Sequence, residues 1–572
     1  MVNDFWKKDE FTKLKSKGYK KFFKHRCITS LIGIAGALVI TGSIIYFRER
    51  VQPQPKVTIT TNKAEEYFYS AKYDDAINEY INIQNIDNTS NLLNVKIAEV
   101  YSVKGDIEDS KKYITKAKGD RKTAELLNYI IFTEFMNKDY KTALLDGEKA
   151  LKDYPHDKKL IKTMFTVYMA NNELDKAKSL MNIYPVDSNS SYDMAEYGRM
   201  LMVQGDMDNG FKNLKLAWDK NKDEYKVYDV LAQISVYNKD KILELITNLS
   251  DKNKEEPAYK MWLAKIYSLQ KETADQAGQI LDSIKDRDIG KIEFKLIEAS
   301  VLQNTNKTKE ADELMNTLIK ENKDSYTILH TAGWYYLNKK EYDKAEKYCK
   351  ESILKNRDYP DNYGFLMPEI LKDEGKSIEG EPYFRTAMMK EPYNYNIMLN
   401  IANFYWYTNK NTDKAMEYFK MAEIVKPDDA DIKYNMALID LNNKKDDDAV
   451  KLLNECIKLA DAVPEYHRTL GTVYFLKGNT KEALQQIRYA YNGDENDILT
   501  LNNAGCYYIT VDANLDRGMF NLKKAYEGIT KDTDKYTKDT ITENYNKAKK
   551  LYDDYTSSSS KTLKVPDFIM FY

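Results

Sequence analysis

Four histidines, four cysteines and one Gly-Lys-Ser triplet are the places where this sequence could carry chemistry. His25, His156, His330 and His467 are not spaced as metal ligands, and no His-Glu-x-x-His run occurs. Gly375-Lys376-Ser377 matches the end of a phosphate-binding loop. Ile370 stands where that loop needs its first glycine, however, and no strand precedes it, so the triplet reads as a turn between helices. Cys349, Cys456 and Cys506 are too widely separated for a disulfide framework or a zinc site, and the first two read as small buried hydrophobes. A catalytic site needs convergent groups, and none is legible here. The chain is therefore expected not to be an enzyme, and no metal or cofactor is assigned to it.

The remaining reading is one of elements and surfaces. Residues 1–26 hold nine Lys/Arg against Asp4, Asp9 and Glu10, a balance of +6, which leaves −8 for the rest of a chain whose net charge is −2. An acidic body lacks the basic stripe that a nucleic-acid surface needs. After the basic tail comes Cys27–Phe47, CITSLIGIAGALVITGSIIYF, 21 residues without a charge. As a helix it would span about 31 Å, the thickness of a bilayer's hydrocarbon core. Its length and its Ile-Ile-Tyr-Phe-Arg ending argue for a transmembrane anchor over a cleaved signal peptide. The basic flank places the N-terminus in the cytoplasm and the rest of the chain outside. Gly33, Ala37 and Thr41 fall on one face and permit homodimer contacts between such helices. Pro53 and Pro55 make 48–61 an extended spacer.

Beyond the spacer, small and large apolar residues alternate with a 34-residue period. With Pro464 as position 1, Leu470, Gly471 and Tyr474 take positions 7, 8 and 11, and Ala483, Ile487 and Ala490 take 20, 24 and 27. Each set lies on one face of a helix, with Gly478-Asn479 breaking the chain between them. The same positions recur as Leu399, Ala402, Trp406, Ala415, Phe419 and Ala422, and as Ala332, Gly333, Tyr336, Ala345, Cys349 and Ser352. Fainter units are marked by Tyr73, Ala76 and Tyr80 and by Ala143, Gly147 and Ala150. The 46 tyrosines against 19 phenylalanines fit packing faces that are half wet.

This pattern resembles the tetratricopeptide repeat. The resemblance implies an all-α fold, a right-handed superhelical solenoid of about thirteen helix pairs over 62–530, preceded by one transmembrane helix at 27–47. The pattern is degenerate over about 185–320, where stretches such as 226–256 read as helix pairs that miss the consensus. Residues 531–556 read as a capping helix, which a solenoid needs over its last face. Residues 557–572 read as a Ser-rich linker and an apolar tail, VPDFIMFY, either packed back on the solenoid or serving as a docking peptide.

In that family, positions 2, 5, 9 and 12 of the first helices commonly meet a peptide on the concave face. The resemblance implies such roles for His330, Trp334, Leu337, Asn400, Phe404, Arg468, Thr472, Phe475 and Asn502, with Cys506 beside them. The family's carboxylate clamp, Lys and Asn at positions 5 and 9, is absent from these units. The function expected is a non-catalytic, membrane-anchored scaffold that binds a protein or peptide and no nucleic acid. A chaperone-like receptor for translocating or unfolded chains is one alternative. An accessory subunit of a membrane enzyme or secretion complex is the other. A composition rich in Lys, Asn, Asp, Tyr and Ile resembles that of AT-rich bacteria, which would make the outer face extracytoplasmic.

Overall fold

The computed structural model describes residues 62–86, 91–119, 122–557 and 564–572. The basic tail, the uncharged segment 27–47 with its Gly33–Ala37–Thr41 face, the spacer 48–61 and the Ser-rich stretch 558–563 lie outside the described residues. Among the described residues all regular structure is helical, and no helix is long and apolar enough to cross a membrane.

Among the described residues there are thirteen helix pairs, five before and eight after a lone helix at Tyr225–Lys252, from Lys63–Tyr69 with Tyr73–Ile86 to Ile498–Thr510 with Leu515–Glu527. Twelve of the thirteen turns within pairs hold one residue in the left-handed region: Ala71, Gly105, Lys138, Asn172, Gly205, Asn306, Lys340, Gly375, Lys410, Lys444, Gly478 and Ala513. Such a residue closes the last turn of one helix and redirects the chain. A side chain then often caps the next helix: Asp106 accepts from the Asp109 amide at 3.2 Å, and Asp206 from that of Asn209 at 3.2 Å. The remaining turn, between Pro257–Ser268 and Ala274–Ile284, uses a short 3₁₀ segment, Lys271–Thr273.

The small residues act where the pairs touch. Ala483 and Ala490 are fully buried, and a Cβ added at Gly471 would lie 3.0 Å from Ile487 Cγ1 and 3.2 Å from its backbone nitrogen. One stretch departs from the expected pairs. Residues 225–252 form one helix, Tyr225–Lys252, rather than a helix pair over 226–256. The stretch contains no Gly, no Pro and no left-handed residue, so nothing ends the first turns. A last helix, Lys535–Ser557, lies on the final pair and buries Ile541, Asn544, Ala548 and Leu551.

The early pairs return onto the middle ones. The Tyr69 hydroxyl lies 3.1 Å from that of Thr386, Arg199 Nη2 donates to Asn394 Oδ1 at 2.8 Å, and Gln233 Nε2 donates to Asp361 Oδ1 at 2.9 Å. Lys226 and Glu391, each only 2% exposed, form an ion pair. The largest apolar cluster accordingly joins Leu127–Val203 side chains to Ala299–Ile439 side chains.

Candidate functional site

Closure of the solenoid decides which inner-face residues remain open. His330 is buried. Its Nδ1 lies 2.8 Å from Asn362 Oδ1, while its Nε2 accepts from Trp334 Nε1 at 3.1 Å, so the ring is the neutral Nδ1–H tautomer. Burial lowers its pKa to about 4. The rings of Tyr225 and Tyr359 stand edge-on to it. Leu337 is buried in the large cluster, Asn400 Nδ2 donates to the Gly364 carbonyl at 2.8 Å, and Phe404 is packed against Phe384 and Tyr405. Of these five residues, expected to line an open groove, His330, Leu337 and Phe404 are buried in the chain's own packing, while Trp334 and Asn400 are half-buried. Tyr225, from the long helix, reaches across to Thr331 at 3.3 Å.

Beside them lies a polar cluster built from distant units. Tyr359 donates to Asp229 Oδ2 at 2.8 Å, and Asn394 Nδ2 bridges to Gln233 Oε1 at 2.9 Å. Burial raises the Asp361 carboxyl to about 6. Burial would raise Glu391 as well, but Lys226 and Lys162 hold it below the usual carboxylate range. The named groups are bonded to one another and sealed from solvent. Among the described residues no group of His, Cys, Asp and Glu could hold a metal ion.

The other four expected residues, Arg468, Thr472, Phe475 and Asn502, lie at the far end of the solenoid. There the helices Pro464–Leu476, Ile498–Thr510 and Lys535–Ser557 stand side by side, and residues 564–572 run across them. Asn544 Nδ2 donates to the Ile569 carbonyl at 2.7 Å, and the Ile569 amide donates back to Asn544 Oδ1 at 3.1 Å. Asn503 repeats this two residues on: Nδ2 donates to the Phe571 carbonyl at 2.6 Å, and the Phe571 amide donates to Oδ1 at 2.8 Å. An N–H and C=O of one residue point the same way only in an extended chain, and those two residues apart share one edge. The two asparagines therefore pair with a segment as a neighbouring strand would.

Further contacts complete the grip. Asn502 Nδ2 donates to the Ile569 carbonyl at 3.0 Å, Thr472 Oγ1 to that of Phe571 at 2.6 Å, and Arg468 Nε to the main-chain oxygen of Tyr572 at 3.4 Å. Arg468 is held by Asp497 at 2.6 Å. Burial would raise that carboxyl, but Arg468 and the Thr500 hydrogen bonds bring it below its ordinary value. The asparagines also brace each other's neighbours: Asn544 Nδ2 donates to Asn502 Oδ1 at 2.9 Å, and Asn503 Nδ2 to Thr472 Oγ1 at 2.9 Å. Side chains add a second layer. Phe571 enters a pocket of Leu501, Ala525 and Ile541, with Tyr536 edge-on to its ring. Phe568 and Met570 rest on the cluster of Cys506, Ile509 and Leu551, and Phe475 packs on the adjoining cluster that Met570 also touches. Burial pushes the Cys506 thiol well up, so it stays protonated against the Ile569 carbonyl.

Asn503 and Asn544 are absent from the positions expected from the repeat. Asn503 sits one residue past the expected position 5, at Asn502. Asn544 lies on the capping helix, where repeat numbering does not apply.

A family model for the tetratricopeptide repeat matches residues 326–358. Residues 326–358 are thus similar to one tetratricopeptide repeat. That repeat is the pair Tyr326–Asn338 and Tyr342–Lys355, set within a solenoid of similar pairs. Solved structures similar to the chain include the APC/C hetero-tetramer Cut9–Hcn1, at 12% identity over 85% of this chain and 95% of that one, with a TM-score of 0.31. Yeast Tom70 is 15% identical over 81% of this chain and 94% of that one, with a TM-score of 0.34. YrrB, a tetratricopeptide protein with an unusual peptide-binding site, is 16% identical over 34% of this chain and 97% of that one, with a TM-score of 0.27. Among curated proteins no sequence matches the chain.

Proposed function

We propose that the protein is a non-catalytic scaffold, anchored in a membrane by residues 27–47, that grips an extended segment of a partner protein in the groove of its last repeats. The observation that carries this is the double pairing of Asn503 and Asn544 with the main chain of residues 569–571. Side-chain amides that bind both main-chain groups of one residue hold an extended peptide as main-chain pairing does in peptide recognition. The anchor rests on the uncharged run Cys27–Phe47 and its basic flank, which would put the solenoid on the extracytoplasmic side.

A chaperone-like receptor is the second reading. The clamps contact main-chain atoms that every residue shares, which favours tolerance of many sequences. The two readings separate in one experiment. A photo-crosslinking residue replaces Phe475 in native membranes, with and without Asn503→Ala and Asn544→Ala. One stoichiometric product, lost in the variant, supports the scaffold. Many products at low yield, also lost, support the receptor. Products unchanged by the variant would contradict both.

A further inference from the structure

The groove is not empty, because the chain's own residues 564–572 fill it. We infer that this segment is an intramolecular competitor, an inbuilt ligand that keeps the groove closed until an extended partner peptide with an aromatic residue at the Phe571 position displaces it. The inference rests on the peptide-binding reading above and adds what the partner must look like and what it must overcome.

Three observations lead to it. First, the contacts are those of a ligand. Ile569 and Phe571 give both main-chain groups to Asn544 and Asn503, whereas their side chains differ in fate: Ile569 is 40% exposed and Phe571 is 7% exposed. The groove thus selects an extended main chain at two positions and an aromatic at one of them. Second, the segment covers groups that would otherwise face water. Asn502, Asn503 and Asn544 are fully buried, and each bonds the segment's main chain. Third, the segment follows the helix Lys535–Ser557 through residues 558–563 alone, so it is always near its site. A tether of that length holds a ligand at an effective concentration on the order of millimolar. A free peptide of equal affinity would lose to it. A successful partner must bind more tightly or engage a second surface.

The test uses the full chain in detergent and a fluorescent peptide of sequence KVPDFIMFY, residues 564–572. The release variant is Ile569→Pro with Phe571→Asp. Proline has no amide to give Asn544, and aspartate does not enter the apolar pocket, while no solenoid residue changes. The inference predicts that the variant binds the peptide at least tenfold more tightly than the unaltered chain, with equal helicity by circular dichroism. Adding Asn503→Ala should remove that gain. Equal, saturable binding by unaltered and release chains would overturn the competitor while leaving the groove as a peptide site. Binding by neither would overturn both. A dimer by light scattering that becomes a monomer in the release variant would place the segment in a second copy's groove and overturn its intramolecular role.

Discussion

Asn503 holds Phe571 by both of its main-chain groups at once, donating to the carbonyl at 2.6 Å and accepting from the amide at 2.8 Å. Asn544 does the same to Ile569, and the two-residue step between them sets the segment as an extended strand across three helices.

Replacing Asn503 by alanine removes two such bonds. Each contributes roughly 0.5–1.5 kcal/mol net, so docking of the segment should weaken by about 1–3 kcal/mol. The bulk of the solenoid is untouched, and its thermal midpoint should stay within about 2 °C of the parent's. Limited proteolysis after Phe568, faster in the variant with the helical body still resistant, is the readout.

The ion pair of Lys226 and Glu391 ties the long helix to the later repeats from inside. Lys226→Met should cost about 3–5 kcal/mol because it leaves Glu391 charged and buried. Adding Glu391→Leu should restore most of the loss. Denaturant unfolding of the two variants measures the difference, and an additive double variant would show that the groups are not coupled.

His330 makes stability depend on pH. Its pKa is lowered from 6.5 to about 4 because burial penalises the charged ring. The unfolded chain therefore binds more protons between those values. The stabilising contribution is full above about pH 6.5 and is lost as pH falls toward 4. Groups facing the ring are Asn362, Trp334, Tyr225 and Tyr359, with Lys265 adding a further lowering influence. Unfolding curves of the parent should fall more steeply than those of His330→Gln between pH 6.5 and 4, by on the order of 3 kcal/mol.

Two glycines should respond to alanine for different reasons. A Cβ at Gly505 would lie 2.6 Å from Leu522 Cγ and 2.9 Å from the Gly518 carbonyl, so Gly505→Ala should cost about 1–3 kcal/mol and shift the groove helix. Gly478 has open space around it but a φ of +79°, so Gly478→Ala should cost about 1 kcal/mol through backbone strain alone. Only the first should also weaken peptide binding.

These cases show what could be read from residue types. Gly478 announces its turn because the left-handed conformation favours glycine, and Gly471 announces a close approach. Lys340, Lys410, Lys444 and Ala513 adopt the same left-handed turn without that signature, so those turns follow only from the period. Residues 225–252 carry no breaker, and a helix period alone does not separate one long helix from two short ones. The inner-face positions Arg468, Thr472 and Asn502 follow from repeat numbering, and the structure places them against residues 569–572. Trp334 and Phe404 follow the same numbering yet pack on their own and adjoining repeats, Trp334 on His330 and Phe404 on Phe384 and Tyr405. Superhelical closure brings residue 225 to 331 and 69 to 386, a long-range consequence of pitch that no local pattern encodes. Asn503 escapes the numbering because the segment bonds two adjacent residues of one helix, Asn502 and Asn503, of which the numbering names only the first.

The most direct test of the central claim is residue-resolved amide hydrogen exchange of segment 564–572 in the full chain. The account predicts protection of the Ile569 and Phe571 amides, which donate to Asn544 and Asn503, and loss of that protection in the Asn503→Ala/Asn544→Ala variant. Free exchange at both amides in the parent chain, or protection that survives both substitutions, would contradict it.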